Sequence, residues 1–163
     1  MSFLIRLSNL GASISTMIAM WMLAIMTILI FLLVVTRYFF SYSFPWTEEL
    51  TRYLMVWMAF LSASALIQRD SHLSIDFISS KLSSRSQDIF FIMFRLLEMA
   101  FLLLLIHKGW AYAQSVQDIT SPAIGISMIW PSLAIPTTAV LMFFFSMIRV
   151  IQKIVDMFGR RVT

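Results

Sequence analysis

One arginine and one glutamate lie in the middle of a long apolar segment. Arg95 and Glu98 occur within FFIMFRLLEMAFLLLLIHK, three positions apart, so a helix would place both on one face. At that spacing an arginine and a carboxylate can form an ion pair. Charged groups inside a membrane mark protein contacts, proton relays or substrate sites. The role of this segment therefore depends on which groups Arg95 and Glu98 bind.

Three interpretations of Arg95 and Glu98 are open from the sequence. Arg95 extends to the inner membrane surface with Glu98 neutral or paired to it, or the pair holds this chain against another polypeptide, or it relays protons or binds substrate. A charge near mid-membrane costs about 2.5–3.5 kcal/mol on insertion scales. Because the other apolar segments lack a buried ionisable group that would continue a pathway, we favour contact with a second polypeptide.

A second charged group begins the segment PWTEELTRYLMVWMAF. Glu48 and Glu49 lie four and three positions before Arg52, so either acid can pair with the arginine on one helix face. Carboxylates also suit the N-terminal end of a helix, and Trp46 suits a membrane interface. Two interpretations follow: simple capping and anchoring, or a polar cluster that contacts a partner and includes Arg37 at the same level.

Other catalytic or ligand-binding patterns are missing from the sequence. With no cysteine there is no thiolate metal site or dithiol redox centre, and no Gly-rich phosphate loop occurs. His72 and His107 are expected at opposite membrane surfaces, so they cannot share a metal. Basic residues occur singly or in pairs, without the stripe typical of nucleic-acid binding. The sequence therefore predicts no catalytic, substrate-binding or metal site, no cofactor and no nucleic-acid partner.

The elements that carry these residues are membrane helices. The chain is 60% hydrophobic and 12% charged, with a mean hydropathy of +0.88, which is far outside the range of a soluble domain. A spanning helix needs about 20 apolar residues. We predict an all-α, polytopic fold in one domain over residues 1–163, with four spans at about 12–36, 47–68, 89–112 and 131–148.

Two amphipathic segments accompany the spans. Residues 74–84 carry apolar side chains at helical spacing between polar ones, which predicts a short helix in the membrane interface. Residues 149–158 continue the fourth span with apolar and charged faces separated.

Lysine and arginine are unevenly divided between the two sides of the predicted topology. Of the 12, eight lie in the N-terminal segment, the middle loop and the C-terminal segment, which predicts that both termini are cytoplasmic. The eight are Arg6, Arg69, Lys81, Arg85, Arg149, Lys153, Arg160 and Arg161, against Arg37, Arg52 and Lys108 on the other side, and Arg95 lies inside the third span.

Small residues predict close helix packing at two places, because they let helix backbones approach each other. They are Gly11, Ser15 and Ala19 in the first span and Ala59, Ser62 and Ala63 in the second. Packing within this chain and packing against a partner are both open.

Residues 34–77, VVTRYFFSYSFPWTEELTRYLMVWMAFLSASALIQRDSHLSIDF, resemble the small membrane subunit of tripartite ATP-independent periplasmic (TRAP) transporters. The resemblance joins an arginine that ends the first helix, PWTEELTRY, the small-residue run VWMAFLSAS and the exit RDSHLSID. Length and hydropathy fit the family over the whole chain. The family usually has a glycine where this sequence has Ser62, a mild departure that keeps close packing possible.

The resemblance implies a non-catalytic subunit of a sodium-driven symporter in the bacterial cell inner membrane. The implied partners are a large, elevator-type transmembrane subunit, whose scaffold the small subunit braces, a periplasmic solute-binding protein and membrane lipids. The implied cargo is a carboxylated solute, with sialic acid as the best guess. The alternatives are an independent four-helix, homo-oligomeric membrane transporter or enzyme, and a purely structural membrane-assembly protein.

Overall fold

Apolar helices account for most of the chain in the computed structural model, which describes residues 2–69 and 84–159. Outside the helices, the described residues contain one isolated bridge, between Thr120 and Ser127, and no strand. The helices are α1 (Ser2–Phe39), α2 (Pro45–Arg69), α3 (Ser84–Ser115), α4 (Ile129–Ser132) and α5 (Ala134–Gly159). The all-α prediction is confirmed.

Within residues 2–69 and 84–159, four helical segments are long and apolar enough to cross a membrane, with α4 and α5 counted together. They are Arg6–Phe39, Pro45–Gln68, Ile89–Ser115 and Ile129–Val155. The polytopic fold is therefore confirmed. α5 continues without a break to Gly159, through the segment predicted to be amphipathic. The predicted interfacial helix at 74–84 lies almost wholly outside the described residues.

The four spans pack in the order α1, α2, α5, α3, so that α2 and α5 are the central helices. Two small apolar cores lie between them, one around Ala12, Ala65 and Phe145 and the other around Leu102, Ala139 and Met142. The outward faces carry large apolar side chains, as at Phe31, which is 70% exposed. An apolar exterior around a small core is what a lipid solvent requires.

Small residues lie at some of the helix contacts and not at others. A Cβ added to Gly11 would lie 3.1 Å from Phe145 Cζ on α5, and Ser15 and Ala19 are buried on α1. On α2, Ala63 packs against the second core. By contrast, Ala59 and Ser62 are exposed. Close packing at these last two positions stays a prediction.

Gly109 lies where α3 closely approaches the start of α5. A Cβ at this position would lie 3.1 Å from Ile135 Cγ2 and 3.2 Å from Pro136 Cδ. The proline ring cannot rotate away, so a larger side chain must separate the two helices.

We expect Gly109→Leu to destabilise the bundle by about 1–3 kcal/mol, because it overpacks this contact. Thermal unfolding of the purified chain in detergent measures the effect. Ala111→Leu is the matched control, since Ala111 is exposed two positions further along α3. Equal melting temperatures for the two variants would contradict the expectation.

Candidate functional site

Two groups of hydrogen-bonded polar side chains lie at the two ends of α2. We call one group the C-terminal cluster, because it surrounds the C-terminal end of α2; its members are Ser8, Asn9, Gln68, Arg95, Glu98, Ser146 and Arg149. We call the other the N-terminal cluster, which consists of Glu49, Tyr53 and the loop 116–128 between α3 and α4.

The C-terminal cluster is built around an ion pair. Arg95 Nη1 donates a hydrogen bond to Glu98 Oε2 at 2.7 Å, within one face of α3. Ser146 on α5 donates to the other carboxylate oxygen, Glu98 Oε1, at 2.8 Å. Arg95 and Glu98 thus form an ion pair. The pair therefore joins α3 to α5, and contact of either residue with a second polypeptide stays a prediction.

Two guanidinium groups meet the last carbonyls of α2. Arg95 Nη2 donates to the carbonyl oxygen of Ile67 at 3.4 Å, and Arg149 Nη2 donates to that of Gln68. The last four carbonyls of a helix have no partner within the helix, and they form the negative end of its dipole. Two cations from neighbouring helices therefore cap α2 at the end where cations are stabilising.

Gln68 extends the C-terminal cluster to α1. Its Nε2 donates to Ser8 Oγ at 2.8 Å and to Asn9 Oδ1 at 3.0 Å. Gln68 is 2% exposed, so these bonds form away from solvent. Polar contacts at this end of α2 therefore connect all four spans. The predicted site residues did not include Ser146, Arg149 or Gln68. The spacing of Ser146, Arg149 and Lys153 along one side of α5 was a usable signal.

The N-terminal cluster is organised by one buried carboxylate. Glu49 Oε2 accepts hydrogen bonds from the backbone N–H groups of Ala123 and Ile124 at 3.0 and 3.1 Å. Tyr53, one turn further along α2, donates its hydroxyl to Glu49 Oε1 at 2.6 Å. Glu49 is 3% exposed. Its carboxylate therefore anchors the loop 116–128 to α2.

The loop has a tight turn that presents these N–H groups. Gly125 N–H donates to the carbonyl of Ser121 at 3.0 Å, and Gly125 adopts a positive φ of 77°, which favours glycine. Further along, Trp57 Nε1 on α2 donates to the carbonyl of Trp130 in α4 at 3.2 Å. Side chains of α2 thus hold both the loop and the short helix that precedes α5.

The residues predicted to form one charged group at the start of α2 differ in burial. Glu49 points inward, whereas the others are exposed, and no ion pair joins Arg52 to either acid in the described chain. The exposed ones are Arg37, Trp46, Glu48 and Arg52. His107 is exposed on α3, and His72 lies outside the described residues. Contact of the exposed residues with a partner stays a prediction.

Comparison with known proteins identifies relatives of one kind. The family model described as "Tripartite ATP-independent periplasmic transporters, DctQ component" matches residues 26–156. A Haemophilus influenzae protein that carries the name of a TRAP transporter small permease protein is 34% identical over 104 residues, 64% of this chain and 65% of that protein. The sialic acid TRAP transporter small permease protein SiaQ of Vibrio cholerae is 27% identical over 75% of this chain and 68% of its own length.

A third relative is much longer than this chain. The sialic acid TRAP transporter permease protein SiaT of Haemophilus influenzae is 30% identical over 114 residues, which are 68% of this chain and 18% of that protein. Most of that polypeptide therefore lies outside the region of similarity.

We expect Glu49→Ala to destabilise the N-terminal cluster, because two loop N–H groups and the Tyr53 hydroxyl lose their acceptor. The melting temperature should fall, and proteolysis within 116–128 should become faster. Glu48→Ala is the matched control, since its exposed side chain should change stability little. Equal effects of the two substitutions would contradict the anchoring role of Glu49.

We also expect Arg95→Leu and Glu98→Leu to be coupled. Each single substitution leaves a charged group in the bundle without its partner, so the double variant should lose less stability than the sum of the two singles. Thermal unfolding of all four proteins measures the coupling. Arg52→Leu and Glu48→Leu, both at exposed and unpaired positions, provide an additive control cycle. Additive losses for the Arg95 and Glu98 pair would overturn the expectation.

Proposed function

Since this chain belongs to the DctQ family of tripartite ATP-independent periplasmic transporters, as a small permease subunit, we propose that it braces the scaffold of a large transmembrane subunit. In this proposal the complex imports a carboxylated solute, with sialic acid as the best guess, and sodium drives the import. A periplasmic solute-binding protein delivers the solute. The complex lies in the bacterial inner membrane, with both termini of this chain cytoplasmic. The family description, the names of two relatives and the distribution of lysine and arginine support these assignments.

The bracing role is supported chiefly by the contacts of the charged side chains inside the spans. Arg95, Glu98 and Arg149 bind groups of the neighbouring helices in the same chain. Such contacts fix helices against one another, and a fixed bundle offers a constant surface to a moving partner. A substrate path would instead require polar groups that exchange between protein and solute.

The partner is proposed from the longer relative. In SiaT the region similar to this chain makes up 18% of the polypeptide, so the rest of a permease accompanies it in one chain. A small subunit made as a separate chain would have to bind the large subunit to lie beside it in the same way. Contact with a large permease subunit is therefore part of the proposal.

The surface that we propose for this contact is a stripe on α2. Exposed residues recur there at intervals of three and four, which places them on one side of the helix. They are Arg52, Met55, Ala59, Ser62 and Leu66. The small side chains at Ala59 and Ser62 would let a helix of the large subunit approach closely.

Further contacts are proposed near the start of α2 and at the ion pair of Arg95 and Glu98. The exposed residues Arg37, Trp46, Glu48 and Arg52 are available to the large subunit or to the docked solute-binding protein. Glu98 keeps 27% of its side chain exposed, so the ion pair retains one edge for a contact across the subunit boundary.

We expect the double variant Ala59→Leu with Ser62→Leu to co-purify markedly less of the large subunit, because leucine would hold the facing helix away. Ala24→Leu is the control, since Ala24 is an exposed alanine on a different helix, α1. Co-purification from membranes that express both subunits measures the loss. Unchanged recovery would reject the stripe as the contact.

The role in transport is tested by reconstitution. Proteoliposomes with the large subunit and the solute-binding protein should take up sialic acid under a sodium gradient only when this chain is present. Uptake by this chain alone would favour the independent transporter and would overturn the bracing role.

A further inference from the structure

We propose that the outer end of α1, residues 32–39, projects beyond the hydrocarbon of the membrane and is covered there by the large transmembrane subunit. This end is called outer because the proposed orientation places it on the periplasmic side. The inference rests on the proposed function, since it takes the large subunit as the partner. It adds a contact on a different helix from the stripe on α2.

The first two helices share one level at the inner side but differ in length. They are antiparallel neighbours, and Gln68 Nε2 of α2 donates to Ser8 Oγ of α1 at 2.8 Å. From Ser8 to Phe39, α1 continues for 31 positions, whereas α2 covers only 23 positions between Gln68 and Pro45. At 1.5 Å per residue, α1 therefore extends about 12 Å past the start of α2.

A membrane of ordinary thickness does not accommodate the whole span of α1. The span Arg6–Phe39 has 34 residues, so it is about 51 Å long, whereas the hydrocarbon is about 30 Å thick. Fitting it would require a tilt of about 54°, and membrane helices tilt by at most about 40°. Even at that tilt, about 9 Å of α1 remains outside the hydrocarbon. Since Ser8 and Gln68 belong to the C-terminal cluster at the inner boundary, the excess length lies at the outer end.

The outer end of α1 is apolar and is not covered by its own chain. Ala19 is the last buried residue of α1, and none of residues 20–39 is buried. Leu32 and Val34 are exposed, and the aromatic residues Tyr38 and Phe39 are each 80% exposed. Outside the hydrocarbon such a surface would contact water, which is unfavourable for apolar groups. A protein surface is the cover that removes it from water.

The large subunit suits this position better than the solute-binding protein. In the proposed function the solute-binding protein delivers the solute and then dissociates, which would return the apolar surface to water in every cycle. Interfaces between permanent partners are larger and more hydrophobic than transient ones. The large subunit stays bound in the proposed complex, so it would keep the outer end of α1 covered throughout transport.

Single cysteines report the surroundings of the outer end, because the sequence contains no other cysteine. Val34→Cys and Phe39→Cys are treated with a water-soluble maleimide in lipid nanodiscs, which leave both membrane surfaces accessible. The isolated chain is compared with the complex purified through a tag on the large subunit. Because a thiol reacts as the thiolate, a cysteine within the hydrocarbon stays unlabelled. We expect labelling of both variants in the isolated chain and its loss in the complex.

Leu23→Cys is the matched control, because Leu23 is an exposed apolar residue near the middle of the α1 span. It should stay unlabelled in both samples. Gln117→Cys places a thiol at an exposed position of the loop 116–128 and should be labelled in the isolated chain. These two variants define the levels of no labelling and of full labelling.

Each alternative cover gives a different result. If Val34→Cys and Phe39→Cys stay unlabelled in the isolated chain, lipid or a second copy covers the outer end, and the inference is wrong. If both stay labelled in the complex, the large subunit does not contact the outer end, although the bracing role still stands. Loss of labelling only after the solute-binding protein is added would assign the surface to that protein and overturn the inference. If the large subunit does not co-purify with the unmodified chain, the proposed function fails, and this inference fails with it.

Discussion

The bundle depends on how the C-terminal end of α2 is capped. The last carbonyls of a helix have no partner within the helix, and a buried guanidinium group is costly without acceptors. Arg95 and Arg149 reach the carbonyls of Ile67 and Gln68 from the helices that follow. The guanidinium groups thereby gain acceptors, and the carbonyls gain donors. Because the arginines belong to α3 and α5, the capping of one helix also fixes the position of two more.

At the N-terminal end of α2 the charges are reversed, since a carboxylate interacts with backbone N–H groups there. Glu49 places a carboxylate at the positive end of the helix dipole, and the carboxylate also accepts hydrogen bonds from the N–H groups of Ala123 and Ile124. α2 is thus tied to the loop before α5 at one end and to α1, α3 and α5 at the other. Its central place in the bundle follows from these two attachments.

The sequence was sufficient for the fold and for part of the site. Long apolar runs predict the spans, because a chain in lipid must satisfy its backbone hydrogen bonds internally, as a helix does. The spacing of Arg95 and Glu98 is a local property of one helix and could also be read from the sequence. The sequence could not show that Glu49 is buried and Glu48 exposed. That difference depends on the rotation of α2 and on backbone N–H groups 74 and 75 positions away from Glu49. Gln68 and Ser8 are 60 positions apart, so their contact likewise requires the tertiary arrangement.

The order of the spans bears on what a subunit of this kind can do. α1 contacts α2 and, to a lesser extent, α5, and the backbone of α3 packs mainly against α5. The described helices therefore form a row more than a ring. The apolar cores are small, and each lies between three helices: α1, α2 and α5 form the first, and α2, α3 and α5 form the second. Polar groups also lie at the helix contacts, as Ser146 does between Arg95 and Glu98. Such contacts fix the helices relative to one another, which is what the proposed bracing of a large subunit requires.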